Sequence, residues 1–361
     1  MTEALPTAIS TAIVRSNVQS NVQSKLDIHR RFAVAPMMEL SDRHFRYLAR
    51  LLSRHSLLYT EMLTSKAIIH GDREYLLGTG DVDHPVVLQI GGSDPAQMAE
   101  AASIGQSWGY DEININVGCP SDRVQSGRFG ACLMAEPETV ASCVRAMQEA
   151  VKIPVSVKCR LGIDRDDSYE ALELFVRQVA DAGCRVFIVH ARKAWLDGLS
   201  PKENRTIPPL RYPYVYRLKE TLPDLHITIN GGIETWDDVQ MHLEHVDGVM
   251  SGRKAYYMPS FLGRADQCVF SDLPDAMAQI SDAAALAEVA REYAQYIQFW
   301  VDKGIRASAL TRHMIALYHD MPGARLWRRH LSENVTGCTD VPQLVEDALS
   351  HVLSITGARS A

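Results

Sequence analysis

The seven cysteines of this 361-residue chain form no recognisable pattern. Their number is odd and no Cys-x-x-Cys pair occurs, so neither a disulfide framework nor a structural zinc site is expected. No apolar run approaches the ~18 residues that a membrane-spanning helix needs, so no membrane association is expected. Gly-x-Gly-x-x-Gly does not follow the first predicted strand, which disfavours a dinucleotide-binding fold. A reducing cytoplasm fits these absences best.

An excess of positive charge is also lacking. The formal net charge is −7, which argues against a protein that coats nucleic acid. The balance reverses locally, because residues 301–330 hold six Lys and Arg against two Asp, a net charge of +4. This basic window indicates either contact with a polyanion or an ordinary solvated helix face. Nothing in the sequence points to an obligate protein partner, and a monomer is expected.

What the chain does contain is a regular alternation of strands and helices. Helix start signals such as Asp94-Pro95, Ser168 and Thr235 lie between apolar, strand-like segments. Eight such units within about 240 residues predict an α/β protein with a (β/α)8 TIM barrel, the alternative being a doubly wound sheet. The predicted strands are Phe32–Met37, Leu57–Glu61, Val86–Gly91, Asp111–Val117, Val155–Cys159, Val186–His190, His226–Asn230 and Gly248–Ser251.

The pattern changes at both ends of the predicted barrel. Residues 1–28 are rich in Ser, Thr, Asn and Gln and predict a disordered tail. Residues 29–272 are expected to form the catalytic barrel domain. After Pro274 a continuous helical periodicity predicts a smaller helical domain over residues 273–361, which contains the basic window. Its predicted apolar face carries Leu286, Val289, Tyr293, Ile297, Trp300 and Val301.

One cysteine stands at a position suited to catalysis. Tyr110–Val117 alternates apolar and polar residues and predicts a strand. Gly118 frees the backbone and Pro120 blocks further pairing, so Cys119 is expected at the C-terminal mouth of this strand. Active sites of α/β barrels lie at that mouth. Cys119 is therefore a candidate catalytic residue, although an isolated cysteine is often a buried structural thiol.

Other strands also end in residues that a packed core does not need. Gln89 can both donate to and accept from the edge of a heterocycle, and Lys158 is a cation within an apolar strand. His190 ends the next strand. Strands seven and eight end in glycine turns, which suit a phosphate group unless they are ordinary turns. This set predicts a phosphorylated planar cofactor, with flavin mononucleotide (FMN) favoured over pyridoxal phosphate.

Two motifs connect the chain to a known family. The segment Asn116–Ser121 (NVGCPS), followed by Gly130–Cys132 (GAC), closely resembles the signature of the tRNA-dihydrouridine synthases. Leu196–Arg205 (LDGLSPKENR) is similar to the A subgroup of that family. The likeness extends from about Phe32 to His330. One departure is Glu39-Leu40, where relatives often have Asp-Trp.

The resemblance implies an FMN enzyme that uses NADPH to reduce uridine in the tRNA D-loop, at positions 20 and 20a. Cys119 would then protonate C5 after hydride reaches C6. An ordinary thiol, with a pKa of about 8.5, is protonated at neutral pH and can donate. The residues implied to contact tRNA are Asn116, Lys202, Arg205, Arg325 and Arg328. Those implied to bind FMN are Pro36, Met37, Met38, Gln89, Lys158, His190, Asn230, Gly231, Gly232, Gly252 and Arg253.

Two other functions are compatible with such a sequence. One is a small-molecule FMN reductase, either an ene-reductase or a dihydropyrimidine-type dehydrogenase, which would act without tRNA. The other is a non-catalytic RNA-binding factor. The presence of Cys119, Lys158 and His190 argues against the second, because binding alone needs none of them.

Overall fold

Eight parallel strands close into a barrel. The computed structural model describes residues 26–78, 84–121 and 127–360. The strands pair in chain order and the eighth pairs with the first, which confirms the (β/α)8 barrel and excludes the open, doubly wound sheet. Their bounds are β1 Phe32–Val34, β2 Leu57–Thr64, β3 Val86–Gly91, β4 Glu112–Val117, β5 Val155–Arg160, β6 Val186–His190, β7 His226–Asn230 and β8 Gly248–Ser251.

Helices connect the strands and continue to the C-terminal end. Within the described part of the chain, no helix is both long and apolar enough to cross a bilayer. The bounds are α1 Arg43–Leu52, α2 Ser65–His70, α3 Arg73–Leu77, α4 Pro95–Ser107, α5 Pro137–Ala150, α6 Tyr169–Asp181, α7 Tyr212–Thr221, α8 Trp236–Leu243, α9 Arg253–Tyr257, α10 Ala265–Val269, α11 Ala283–Asp302, α12 Ala307–Thr311, α13 Ala324–Asn334 and α14 Val341–Ser360. Short 3-10 helices lie at Gly130–Ala135, Glu203–Arg205 and Pro259–Arg264.

Three of the predicted start signals act as helix caps. The side chains of Asp94 and Ser168 accept hydrogen bonds from backbone N–H groups in the first turns of α4 and α6. Thr235 and Asp238 form a reciprocal capping box at the start of α8. Such caps satisfy the N–H groups that a helix N-terminus leaves without an intrahelical partner. The sequence signals therefore mark real helix boundaries.

Four strand boundaries differ from the prediction, those of β4 and β5 by a single residue and those of β1 and β2 by more. β1 ends at Val34 rather than at Met37, because Pro36 has no N–H group for strand pairing. Glu39, shortly after it, has a positive φ of 63° and turns the chain away from extended geometry. β2 continues to Thr64, past the predicted end at Glu61, and its register with β3 shifts between Tyr59 and Met62. Such a bulge lengthens and bends the strand.

The chain divides into two compact units. The first comprises residues up to Met37 together with Leu57–Ser251, and the second comprises Met38–Ser56 together with residues from Gly252 onwards. Residues 1–25 of the expected tail lie outside the described residues. Leu26, within that expected tail, is buried in a core cluster with residues of the barrel strands. The predicted boundaries at residues 29–272 and 273–361 stay predictions.

The second unit is built around α1 and α11. Asp42 caps α1 and also pairs with Arg312 at 2.7 Å and with His313 at 3.2 Å. Tyr47 of α1 stacks on Tyr296 of α11, with 3.9 Å between the ring centroids. On α11 the predicted apolar face is confirmed at Leu286, Val289, Tyr293 and Ile297, whereas Trp300 and Val301 are only half buried.

A substitution at Gly248, the first residue of β8, tests how tightly the barrel is packed. We expect Gly248→Ala to destabilise the protein by about 3 kcal/mol, since over-packing a core position has a cost of this order. The added Cβ would collide with the backbone oxygen of Arg30 and lie 2.8 Å from Thr228 Oγ1. Urea unfolding measures the loss. Gly118→Ala is the control, because its Cβ would meet nothing closer than 3.5 Å. Equal stability of Gly248→Ala and the wild type would contradict this packing.

Candidate active site

Cys119 lies on a turn in which the backbone N–H and C=O groups of both Gly118 and Cys119 are hydrogen-bonded. The N–H groups of Gly118 and Cys119 both donate to Asn116 Oδ1 at 3.0 Å. The Cys119 carbonyl accepts from the N–H of Ala131 at 2.9 Å, which explains why the GAC segment accompanies this turn. The thiol itself is half buried and lies 3.5 Å from Ser121 Oγ. The turn therefore presents the thiol from a rigid backbone.

Gln89 and Asn116 lie together inside the barrel. Asn116 Nδ2 donates to Gln89 Oε1 at 2.8 Å, and Gln89 Nε2 donates to Asn114 Oδ1 at 2.8 Å. The Gln89 backbone N–H donates to Thr60 Oγ1 at 3.0 Å. Gln89 is 1% exposed and Asn116 8%, so bulk water does not compete with these bonds. Two predicted site residues are thus joined directly.

Lys158 reaches across the barrel interior. Its Nζ donates to Asn230 Oδ1 at 3.1 Å, although β5 and β7 are not neighbouring strands. Asn230 Nδ2 in turn donates to the backbone oxygen of Met250 at 2.8 Å, which fixes the amide. Within the described residues Lys158 has no carboxylate partner, and two of its three N–H bonds are not used. A largely buried cation with spare donors is a binding group for an anion or a carbonyl oxygen.

His190 and the glycine turn after β7 pack against each other. A Cβ on Gly231 would lie 2.7 Å from His190 Cδ2, and one on Gly232 would lie 2.5 Å from the Tyr212 hydroxyl. Both glycines have positive φ angles, 110° and 75°. Tyr212 donates to the Gly231 carbonyl at 2.9 Å and so fixes the turn. Only glycine combines these angles with this close approach.

Arg160 joins the Cys119 turn to the loop that carries Lys202 and Arg205. Its Nε donates to the Gly118 carbonyl at 3.1 Å, and its Nη1 donates to the Asn204 carbonyl at 2.8 Å. Asn204 is fully buried, and its amide bonds to both backbone groups of Trp195. Lys202 and Arg205 flank it with exposed side chains. The position of this loop is thus set from the active-site turn.

The cluster is strongly electropositive. Burial, and then the neighbouring Arg160, lowers the pKa of Lys158 to about 8. Burial also lowers the pKa of Arg160 to about 10, with a further contribution from Arg205. The pKa of His190 falls well below its usual range, because burial and then Arg160 and Lys158 disfavour the imidazolium. At neutral pH the site therefore holds two cations and a neutral imidazole.

The remaining predicted residues lie outside this hydrogen-bonded group. Pro36 and Met37 follow β1 and are half buried. Met38, Gly252 and Arg253 belong to the second unit, as do Arg325 and Arg328. The last two are exposed on α13, one turn apart, and form no ion pair with any residue of the described ranges.

The sequence carried signals for the residues that the prediction missed. Arg160 lies two positions after Lys158, so both face the same side of β5. β4 reads Glu-Ile-Asn-Ile-Asn-Val, and its three polar residues share one face although the whole strand is buried. Buried parallel strands are normally apolar. A polar face in such a strand indicates a functional interior.

The pKa of Lys158 makes the stability of the apoprotein depend on pH. We expect Lys158→Met to stabilise it by about 2 kcal/mol at pH 7. The lowering of the pKa from 10.5 to about 8 corresponds to about 3 kcal/mol, and loss of the Asn230 bond offsets about 1. The folded-state pKa is the lower one, so the wild-type penalty is complete below pH 8 and disappears as the pH rises to 10.5. The gain should shrink over that range.

Denaturant unfolding of the two apoproteins between pH 7 and 10.5 measures this gain. Lys193→Met is the matched control, because the Lys193 ammonium has a carboxylate partner, Asp167, at 3.1 Å. It should bring no stabilisation at any of these pH values. A gain for Lys158→Met that did not change with pH would show that the cation is not the cause.

Comparisons with known proteins identify the family. The family model for dihydrouridine synthase (Dus) matches residues 33–353. The chain is 54% identical over 317 residues to the tRNA-dihydrouridine(20/20a) synthase of a Synechocystis species, covering 88% of this chain and 93% of that protein. It is 52% identical over 331 residues to the protein of that name from Escherichia coli K12, covering 91% and 94%.

A solved structure, 2-naphthoyl-CoA reductase in complex with 2-naphthoyl-CoA, is similar with a TM-score of 0.50 at 10% identity. The match covers 70% of this chain and 51% of the reductase, and it is a likeness of fold alone. The family match, by contrast, includes every site residue discussed above. The chain belongs to the dihydrouridine synthase family.

Proposed function

We propose that this protein reduces the 5,6 double bond of uridine to 5,6-dihydrouridine in the tRNA D-loop, at positions 20 and 20a. The observation that carries the proposal is the fixed Cys119 turn in the same barrel mouth as Asn116, Lys158 and His190. The names of the relatives support both the substrate and the positions. The cytoplasm stays the expected compartment.

The residues at the mouth fit FMN. Lys158 has spare donors and no carboxylate partner in the described part of the chain, which suits the electron-rich edge of a flavin ring. The turn Asn230–Gly232 is free of side chains at two successive residues, so its backbone can approach a phosphate closely. When bound, reduced FMN would supply the hydride for uridine C6, and NADPH would restore the reduced form. We assign Pro36, Met37, Gln89 and His190 to the same site, and a contact of Met38, Gly252 and Arg253 with FMN stays a prediction from the sequence.

The protein supplies the proton for C5. Cys119 is the proposed acid, and its thiol takes no part in the backbone hydrogen bonds that hold the turn. Asn116 binds the base through its amide. Lys158 and Arg160 hold positive charge beside the reacting groups, where it stabilises negative charge that develops in the transition state. His190 acts as a neutral hydrogen-bonding group, since its pKa is well below neutrality.

Contact with tRNA involves further basic residues. A uridine within folded RNA has to leave its stack to reach an enzyme's pocket, at a cost of a few kcal/mol. Lys202 and Arg205 are exposed on the loop that Arg160 ties to the Cys119 turn, so they are suited to hold the RNA near the flipped base. Arg325 and Arg328 are exposed on α13 and suit phosphate contacts.

The role of Cys119 is open to a direct test. We expect Cys119→Ala to lower the rate of uridine reduction by about 10²- to 10⁴-fold, the usual contribution of a general acid. Mass-spectrometric mapping of tRNA that lacks D-loop modification, after incubation with protein, FMN and NADPH, detects the gain of two hydrogens. Cys132→Ala is the matched control, since Cys132 is also half buried and its thiol donates to the carbonyl of Phe129.

Each outcome of that mapping has a separate meaning. Full activity in Cys119→Ala would remove Cys119 as the acid. If the wild type oxidised NADPH without any mass gain in tRNA, the protein would be a small-molecule flavin reductase. If it neither oxidised NADPH nor bound FMN, a binding function without catalysis would be favoured.

The assignment of α13 to tRNA has its own test. We expect Arg325→Glu with Arg328→Glu to weaken tRNA binding by 10-fold or more at low salt, with FMN still bound, because two phosphate contacts become repulsive. Binding is measured by filter retention against salt concentration. Arg145→Glu with Arg177→Glu is the control, an equal charge change at exposed arginines of α5 and α6. Equal weakening by both pairs would mean that only net charge matters.

A further inference from the structure

A continuous file of hydrogen bonds runs through the barrel interior. At one end Glu112 accepts from Arg30 Nε at 3.0 Å and from the Ser156 hydroxyl. Asn114 Nδ2 donates to Ser156 Oγ at 2.8 Å. Gln89 and Asn116 follow through the bonds already described. We call Glu112, Ser156, Asn114, Gln89 and Asn116 the amide file.

The amide file is closed to water. Glu112, Ser156 and Asn114 are 0% exposed, and even Asn116 at the far end is only 8% exposed. Each link must therefore be made by its protein partner, because an unpaired polar group at this depth costs about 1–3 kcal/mol. A reversed amide inside the file would place N–H against N–H or oxygen against oxygen.

Both ends of the amide file have a fixed polarity. A carboxylate only accepts, and Glu112 is the carboxylate partner of Arg30 in a buried ion pair, so the Ser156 hydroxyl has to point at it. Asn114 must then offer its N–H to Ser156 and its oxygen to Gln89. For the same reason, Gln89 must donate its N–H to Asn114 and accept at its oxygen from Asn116. At the other end, the N–H groups of Gly118 and Cys119 require an oxygen, and Asn116 Oδ1 meets them.

This polarity determines what Asn116 offers to a substrate. Its oxygen accepts two backbone N–H groups, which fills both lone pairs, and one N–H bond goes to Gln89. One N–H bond is left. Asn116 can therefore donate one hydrogen bond to a ligand and can accept none.

We propose that Glu112 is a positioning residue which, through the amide file, holds Asn116 as a donor and so selects a base with a carbonyl group over one with an amino group. The inference rests on the proposed function and deepens it. Uracil has carbonyl oxygens at C2 and C4, whereas cytosine has an amino group at C4 and isocytosine has one at C2. An amino group would face the Asn116 N–H donor to donor, a mismatch that buried sites reject strongly.

The amide file is a poor device for stability alone. A buried ionic and amide network is about as stable as a well-packed apolar interior, or less so. Neighbouring strands of the same barrel show the apolar solution, since Val186 and Ile188 of β6 and Leu57 of β2 belong to the buried core cluster. The polar side chains on β3, β4 and β5 form directional hydrogen bonds that fix the orientation of each amide group. An apolar core cannot fix such an orientation.

A double-mutant cycle on the FMN-loaded enzyme tests the proposal. In Glu112→Gln the amide oxygen of the new side chain must face Arg30, so its N–H group faces the Ser156 hydroxyl. This orientation favours reversal of the donor and acceptor roles along the amide file. We expect kcat/KM for D-loop-unmodified tRNA to fall by about 10-fold. Ser156→Ala interrupts the file, so adding Glu112→Gln to it should change kcat/KM by less than about 2-fold. Ser156→Thr keeps the hydroxyl and should restore most of the rate.

Two further measurements separate positioning from general damage. Transcripts with cytidine or isocytidine at the target positions are tested as competitors. The preference for uridine over one of these two bases should be about 10-fold smaller in Glu112→Gln than in the wild type. Alkylation of Cys119 by iodoacetamide should become faster in Glu112→Gln, because a reversed Asn116 releases the turn. Asp27→Asn is the matched control, since Asp27 also pairs with Arg30 but lies outside the file.

The outcomes distinguish this inference from the proposed function. The role of the amide file would be overturned if Glu112→Gln and Ser156→Ala lowered kcat/KM independently, so that their effects multiplied, and the preference for uridine stayed unchanged. The proposal of uridine reduction would still stand. A wild type that does not reduce tRNA would overturn the function. Cys119 alkylation, which needs no turnover, would then still support or contradict the control of the turn by Glu112.

Discussion

Glu112, Asn114 and Ser156 are fully buried inside the closed barrel, so their hydrogen-bond partners have to come from the protein. This constraint organises the first unit of the protein. Arg30 and Glu112, which lie 82 residues apart in sequence, meet as a buried ion pair. From that pair, hydrogen bonds pass from strand to strand until they reach the backbone of Cys119. The position of the proposed acid thus depends on groups far from it in sequence.

On the other side of the barrel interior, the charges of two buried cations are only partly compensated. Lys158 and Arg160 are held by amide and carbonyl oxygens, without a carboxylate partner in the described ranges. Burying charge in this way is unfavourable for the apoprotein, as the lowered pKa values of both groups indicate. The missing negative charge is what an anionic ligand would bring. The barrel is therefore less stable without its ligand than an apolar equivalent would be.

The sequence predicts the barrel well because its signal is local. Each strand is a short apolar run, and β3, β6, β7 and β8 have the bounds that the pattern indicates. Cys119 is predictable because Gly118 and Pro120 mark the end of a strand. Arg160 and Asn204 were missed because their partners lie 42 and 44 residues away along the chain. Single-strand patterns do not contain such pairings, although the polar face of β4 shows that some must exist.

In the Cys119 turn, the proposed specificity follows from the groups that the hydrogen bonds within the protein do not use. The N–H groups of Gly118 and Cys119 bond to Asn116, the Gly118 carbonyl to Arg160, and the Cys119 carbonyl to Ala131. Four backbone groups are therefore already used before any substrate arrives. These bonds do not use the thiol or the second N–H of Asn116, for which we propose proton donation and recognition of the base, respectively. A base that accepts both hydrogen bond and proton fits this pair, and the chain fixes that requirement before the substrate binds.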